Sequence, residues 1–249
     1  MLQKNKFQKN KARKRLTVCL SGLLGFAICS APLLAIAQEY QPPKRGIPGR
    51  REGAGTRGTC LRGPKLLMPL TPSDNFSTTL SNSPTFFWYV PKAAAETAEF
   101  ALLDENDRTL YKTIVSLSGT PGIISVTVPA NVTASVLTVG KDFYWQLSIL
   151  CDPTQPSINP FVEGVVQRTK PDTALTSKLK KAALSERSTV YATNGIWQDA
   201  IATLAQARCA KPQDQGVMAS WTRLLQSVKL EDYAQTPFVQ VCPAKAPLK

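Results

Sequence analysis

The sequence predicts an α+β protein, with an Ig-like antiparallel β-sandwich over residues 64–170 and a small three-helix module with an extended tail over 171–249. Three observations carry the prediction. Residues 142–151 alternate strictly, with Phe143, Trp145, Leu147, Ile149 and Cys151 on one side and Tyr144, Gln146 and Ser148 between them, which is the period of a half-buried strand. Similar runs recur between Pro, Gly and acidic turns from residue 85 to 168, with no helical pattern among them. After Pro171 the apolar period lengthens to that of a helix.

Two segments precede the sandwich. Residues 1–15 are basic, and 16–37 form an apolar run that ends in Ala35-Ile36-Ala37, so residues 1–37 read as a secretory signal peptide. The run is long enough to span a bilayer, but Ser30 and Pro32 interrupt it ahead of the small-x-small pattern. Cleavage after Ala37 is therefore expected, leaving no stable membrane span. Residues 38–63 are a basic arm rich in Gly, Pro and Arg, without apolar periodicity. Arg50, Arg51 and Arg57 in it are candidate contacts for a carboxylate, sulfate or phosphate.

Within the sandwich, Pro-flanked 64–70 is a short strand, the polar stretch 71–84 a loop, and TFFWYV at 85–90 an aromatic strand closed by Pro91. Residues 97–103 and 109–117 form a hairpin around the turn Asp104-Glu105-Asn106-Asp107. That acidic turn lacks the order of an EF-hand calcium loop. Residues 123–128 are a strand ending at Pro129, 131–139 a loop, and 142–151 a strand stopped by Asp152-Pro153 that returns as 161–168. Asp172 caps a first helix that runs to Asn194-Gly195. A second helix covers 196–209, a third covers 215–228, and an extended tail reaches Cys242. The first two helices resemble a single tetratricopeptide repeat, since Tyr191, Gly195, Trp197, Ala200, Leu204, Ala207 and Pro212 fall at its spacings. Arg187 and Ser188 depart from that pattern. One repeat cannot bury its own face, so the resemblance implies a helical hairpin packed on its surroundings.

The arm GRREGAGTRGTC (49–60), PTFFWYVP (84–91), AEFALLDEN (98–106), PGIISVTVP (121–129), YWQLSILCDP (144–153), NPFVEGVVQR (159–168) and the helical tail together resemble the exported proteins of domain-of-unknown-function family 928, known chiefly from cyanobacteria. The resemblance implies an exported protein of this layout and supplies no reaction.

Composition narrows the function further. The chain has no histidine, which removes His-dependent nucleophiles and the usual zinc sites. The formal charge of +13 misleads, because the leader's Lys4, Lys6, Lys9, Lys11, Arg13, Lys14 and Arg15 bring it to +6 when they leave. Most of the remaining excess lies in the arm, so a nucleic-acid-binding fold is not expected. Cys19 and Cys29 leave with the leader, and Cys60, Cys151, Cys209 and Cys242 remain. An even number in an exported chain suggests disulfides. Pairing Cys60 with Cys151 and Cys209 with Cys242 keeps each bond within one zone of composition. No cofactor motif is present.

The expected function is that of an exported, non-catalytic interaction or scaffold protein in the periplasm or outside the cell, with an envelope protein or an acidic glycan as partner. One alternative is a hydrolase of envelope polymers using paired carboxylates such as Asp152 and Glu163. Another is a regulatory partner of a membrane receptor.

Overall fold

The computed structural model describes residues 39–43, 51, 60–133, 137–152 and 154–242. The predicted signal peptide and most of the arm, including Arg50 and Arg57, lie outside the described residues. Among the described residues, eleven strands form the β part: β1 (Leu61–Arg62), β2 (Met68–Pro69), β3 (Phe76–Thr79), β4 (Thr85–Val90), β5 (Lys92–Ala93), β6 (Thr97–Leu103), β7 (Thr109–Ser116), β8 (Gly122–Thr127), β9 (Asp142–Ile149), β10 (Phe161–Arg168) and β11 (Phe238–Gln240). The helices are the short α1 (Ala130–Thr133), then α2 (Thr173–Lys181), α3 (Leu184–Thr193), α4 (Trp197–Ala210) and α5 (Gln215–Gln226). The α+β class, strands first and helices after, is the one the sequence predicts.

The order β3-β10-β9-β6-β7 makes a five-stranded sheet, and β11-β8-β4-β2 a four-stranded one; β1 and β5 form a separate ribbon. The alternating stretch 142–149 is β9, in the middle of the larger sheet. Phe143, Trp145, Leu147 and Ile149 are buried, whereas Tyr144 is 41% exposed. These four pack against Phe86, Trp88 and Val90 of β4 and Phe100 and Leu102 of β6. The Trp88 and Trp145 rings meet edge to face at 5.7 Å, and Phe86 lies 5.4 Å from Phe100, geometries that add stabilisation beyond the area buried. Gly164 of β10 stands opposite Trp145, where a Cβ would collide with the indole. The glycine lets the largest side chain of the core lie flat over the neighbouring strand.

The run TFFWYV lacks polar alternation because β4 is covered on both faces. Phe86, Trp88 and Val90 face the sandwich core. Phe87 and Tyr89 face a second core, with Met68, Leu70 and Ile123 on the sheet side and Trp197, Ile201, Leu204, Trp221, Leu224 and Leu225 on the helix side. The helices α4 and α5 thus form a third layer on the outer face of the four-stranded sheet.

Three local differences from the sequence expectation have clear causes. The predicted loop 71–84 contains β3, which is buried throughout and pairs with β10. The predicted first helix is two, because Ala182 and Ala183 are extended. The Glu186 carboxylate accepts the Ala183 N–H at 3.2 Å and so starts a new helix. Finally, β3–β10 and β11–β8 are parallel pairs in a sandwich expected to be antiparallel, and each adds to a sheet edge a segment that the sequence presents as loop or tail.

Candidate binding groove

The N-terminal end of α4 is fixed on β3 by side chains that the sequence presents as loop polarity. Ser77 Oγ donates to the Val165 carbonyl at 3.2 Å and accepts from Gln198 Nε2 at 3.2 Å. Thr78 Oγ1 donates to the Gly195 carbonyl at 2.6 Å. Thr79 Oγ1 donates to Asp199 Oδ2 at 2.7 Å, and the Leu80 N–H donates to the same oxygen at 3.0 Å. A buried strand of Ser and Thr is tolerated because its hydroxyls are paired in this way. Gly195, at φ +75°, turns the chain between α3 and α4 against the Gln41 carbonyl, where a Cβ would stand only 2.9 Å away. The Trp197 indole N–H donates to the Leu70 carbonyl at 2.8 Å and anchors the first turn of α4 on the sheet.

Beyond this anchor, α4 presents small side chains to the sheet and a groove remains. Its floor is Thr85 and Phe87 of β4 with Ser125 and Thr127 of β8. One wall is α4, through Ala202, Ala205 and Ala210; the other is the tail, through Val241 and Cys242. The volume is about 610 Å³, within the range of ligand-binding clefts. A polar recess of about 160 Å³ shares Thr85, Ala202 and Gln206 with it and is lined further by Thr79, Ser81, Ser83, Tyr191, Gln198 and Asp199.

Asp199 supplies the charge of this recess. Burial pushes its carboxyl above the usual carboxylate range, against the pull of the Thr79 and Leu80 hydrogen bonds. Burial also raises the Tyr191 phenol, and the Asp199 charge adds to this against an opposing effect of Arg187. Among the described residues Asp199 has no ion-pair partner. Gln198 is 2% exposed, and its Oε1 accepts no hydrogen bond. Neither Asp199 nor Gln198 stood out in the sequence, and Tyr191 did so only as a helix-packing position. An Asp in the first turn of a helix ordinarily reads as a favourable partner of the helix dipole, and Phe76-Ser77-Thr78-Thr79 carries no strand-like alternation. Among the described residues there is no group of three or more His, Cys, Asp or Glu side chains that could hold a metal ion, and no helix is long and apolar enough to cross a membrane.

The cysteines named in the sequence are joined as Cys60–Cys151, with a Cα–Cα distance of 5.6 Å, and Cys209–Cys242, at 5.4 Å. The first ties the segment leading into β1 to the end of β9; the second ties α4 to the tail after β11 and closes one end of the groove. Two disulfides suit an exported, non-cytoplasmic protein.

Arg51 is bound into the fold. Its Nη1 donates to the Thr71 carbonyl at 2.8 Å and the Val228 carbonyl at 2.7 Å, and its Nη2 to the Lys229 carbonyl at 3.3 Å. It thereby joins two carbonyls just beyond the end of α5 to the chain after β2. Asp152 and Glu163 are not brought together. The register sets Glu163 opposite Gln146, while Asp152 lies beyond the end of β9. The Thr154 hydroxyl and N–H bond the Asp152 carboxylate at 2.6 and 2.8 Å and hold it below the usual carboxylate range, opposite to the direction a general acid needs. Glu163 lines a separate cleft with Asp74 and Asp107. In the acidic turn, Asp104 accepts from the Asn106 and Arg108 N–H groups and pairs with the Arg108 guanidinium at 3.0 Å.

No curated protein matches this sequence. A family match runs from residue 52 to residue 238, spanning both sheets, all the helices and the first residue of β11, and the chain belongs to the family described as Domain of Unknown Function (DUF928).

Proposed function

We propose that this is an exported, non-catalytic binding protein of the cell envelope, and that the groove between α4 and the four-stranded sheet is where it holds its partner. The observation that carries the reading is the groove itself: an apolar cleft of about 610 Å³ opening into a polar recess with a buried carboxylate. Its floor is a pair of bonded strands, one wall is α4, and a disulfide ties the tail that forms the other wall to α4, as suits a preformed site. The partner proposed is another envelope protein. Arg50 and Arg57, in the arm, add a salt-sensitive contact to acidic groups on that protein or on a neighbouring acidic glycan.

The test is site-specific photo-crosslinking in intact cells. A photoreactive residue at Ala202 or Gln206 is expected to capture one protein reproducibly. The same residue at Ile114, which is 54% exposed on the far edge strand β7, is expected not to. Filling the groove with Ala205→Phe should abolish capture from position 206. Equal capture from 114 and 206, or capture that survives the filled groove, would sink the proposal.

A further inference from the structure

The polar recess has a composition that selects one kind of group. Its carboxylate is Asp199, and the buried Gln198 side chain beside it has an oxygen that accepts no hydrogen bond. The hydroxyls of Thr79 and Ser81 each accept one backbone N–H and that of Ser83 donates to the Val128 carbonyl, which leaves each oxygen in the lining a lone pair for a further donor. An uncompensated carboxylate with surplus acceptors calls for a cation that donates. A divalent metal ion is a poor match, since such ions gather several charged oxygens and this recess has one carboxylate. A guanidinium is planar and suited to a fork of two acceptors in its plane. An ammonium is compact, and its three N–H donors suit a recess of about 160 Å³.

The adjoining groove says what carries the ammonium. The recess and groove meet at Thr85, Ala202 and Gln206, and beyond that neck the lining is mostly apolar, with Ala205, Ala210, Phe87, Val241 and the Cys209–Cys242 disulfide beside the hydroxyls of Ser125 and Thr127. A hydrocarbon stem of a few methylenes, charged at its end, matches this sequence of surfaces. The groove, at about 610 Å³, is several times larger than such a stem, so it also takes the chain to which the stem is attached. We propose that the recess receives the side chain of a lysine, presented by an extended segment of an exported protein whose neighbouring small apolar residues lie in the groove. The inference rests on the groove being the binding site and adds the chemistry that it recognises.

The experiment is calorimetric titration of the mature, disulfide-bonded chain with three probes: acetyl-Ala-Ala-Lys-Ala-Leu-amide, the same peptide with norleucine in place of lysine, and n-hexylammonium. The lysine peptide is expected to bind at least tenfold more tightly than the norleucine peptide. Asp199→Asn, which keeps an oxygen for Thr79 and Leu80, should erase that difference. Ala202→Leu, which fills the neck, should weaken both peptides. Equal affinity for the two peptides, no binding of either, or a lysine preference that survives Asp199→Asn would overturn the proposal. Hexylammonium binding as tightly as the lysine peptide would overturn it in favour of a free amine. A tenfold gain on removing residues 243–249 would overturn the choice of an external partner in favour of Lys245 or Lys249 of the same chain. Should Asp199→Asn not fold, the lysine-to-norleucine comparison on the unaltered chain still decides. The two readings fail separately: crosslinking from position 206 that persists in Asp199→Asn leaves the groove as the partner site while removing lysine as its ligand.

Discussion

Asp199 and Arg51 both lie near helix ends, and they act on stability in opposite senses. Burial raises the Asp199 carboxyl, so the folded state favours its protonated form relative to the unfolded chain. The contribution is fully present below the unfolded carboxylate value, about 3.9, and is lost as pH rises through the higher folded value. Asp199→Asn removes the charge and keeps an acceptor. It should therefore melt at a higher temperature than the unaltered chain at pH 7, with the gap closing as pH falls below the unfolded value. Thermal melts between pH 3.5 and 7.5 check this, and a lower melting temperature for the variant at pH 7 would mean that the Thr79 and Leu80 bonds to the charged form outweigh burial. Arg51 is the converse case, a charge placed against three carbonyls. Hydrogen bonds from charged donors contribute about 1.5–3 kcal/mol when lost from a structure, and these are partly exposed. Arg51→Ala is expected to cost about 1.5–2 kcal/mol, seen as a lower urea midpoint at unchanged slope. No change in midpoint would return Arg51 to the arm as a side chain available for anions.

At the scale of elements, β11 is the most dependent on a crosslink. It has only three residues and pairs with β8 through Phe238–Ile123 and Gln240–Ile124. The Arg208 guanidinium stacks 4.2 Å from the Phe238 ring centre and Nη2 donates to the Thr236 carbonyl at 3.2 Å, but so short an edge strand is marginal alone. The Cys209–Cys242 bond spans 33 residues, worth about 3.5–4 kcal/mol in the chain-entropy picture. Cys209→Ser with Cys242→Ser should lower stability by about that amount. Hydrogen exchange should show the Ile123 amide, which donates to the Pro237 carbonyl at 2.9 Å, losing protection while the amides between β4 and β8 keep theirs. Uniform loss across β8 would contradict this local role. The tail was legible in the sequence as extended and ending in a cysteine, because Pro237, Phe238 and Val241 lack helical spacing. Elements whose inner and outer faces differ, β9 above all, were legible residue by residue. What sequence could not show was β3, since its stability comes from hydroxyl pairing with Gly195, Gln198 and Asp199, residues over a hundred positions away. The groove was hidden for the same reason. Small alanines on one face of α4 read as ordinary helix formers until the sheet opposite them is known.

At the scale of the whole molecule, the order of layers decides what can fold alone. In sequence the sandwich and the helices look separable at Pro171, where the texture changes. In the fold, the outer face of the four-stranded sheet is as apolar as its inner face, with Met68, Leu70, Phe87, Tyr89 and Ile123 buried under α4, α5 and the turn 231–233. Taking the helices away would expose these five side chains together. A fully buried side chain of this size contributes about 1.5–3 kcal/mol, so the loss is of the same order as the 5–15 kcal/mol that holds an ordinary domain folded. It would also leave a contiguous apolar face of the kind that drives association. The helical segment fares no better, because Trp197 packs on Tyr40 and bonds the Leu70 carbonyl, and Tyr233 packs on Tyr89, all residues outside the segment. Residues 38–170 and 171–249, produced separately under oxidising conditions, are therefore expected to be aggregated and unfolded respectively, and to recover native near-ultraviolet circular dichroism only when refolded together. A monomeric, cooperatively melting 38–170 fragment would show instead that the helix layer is an attachment to a sandwich complete without it. The groove at their junction would then be free to open and close, and would not be held as a fixed site.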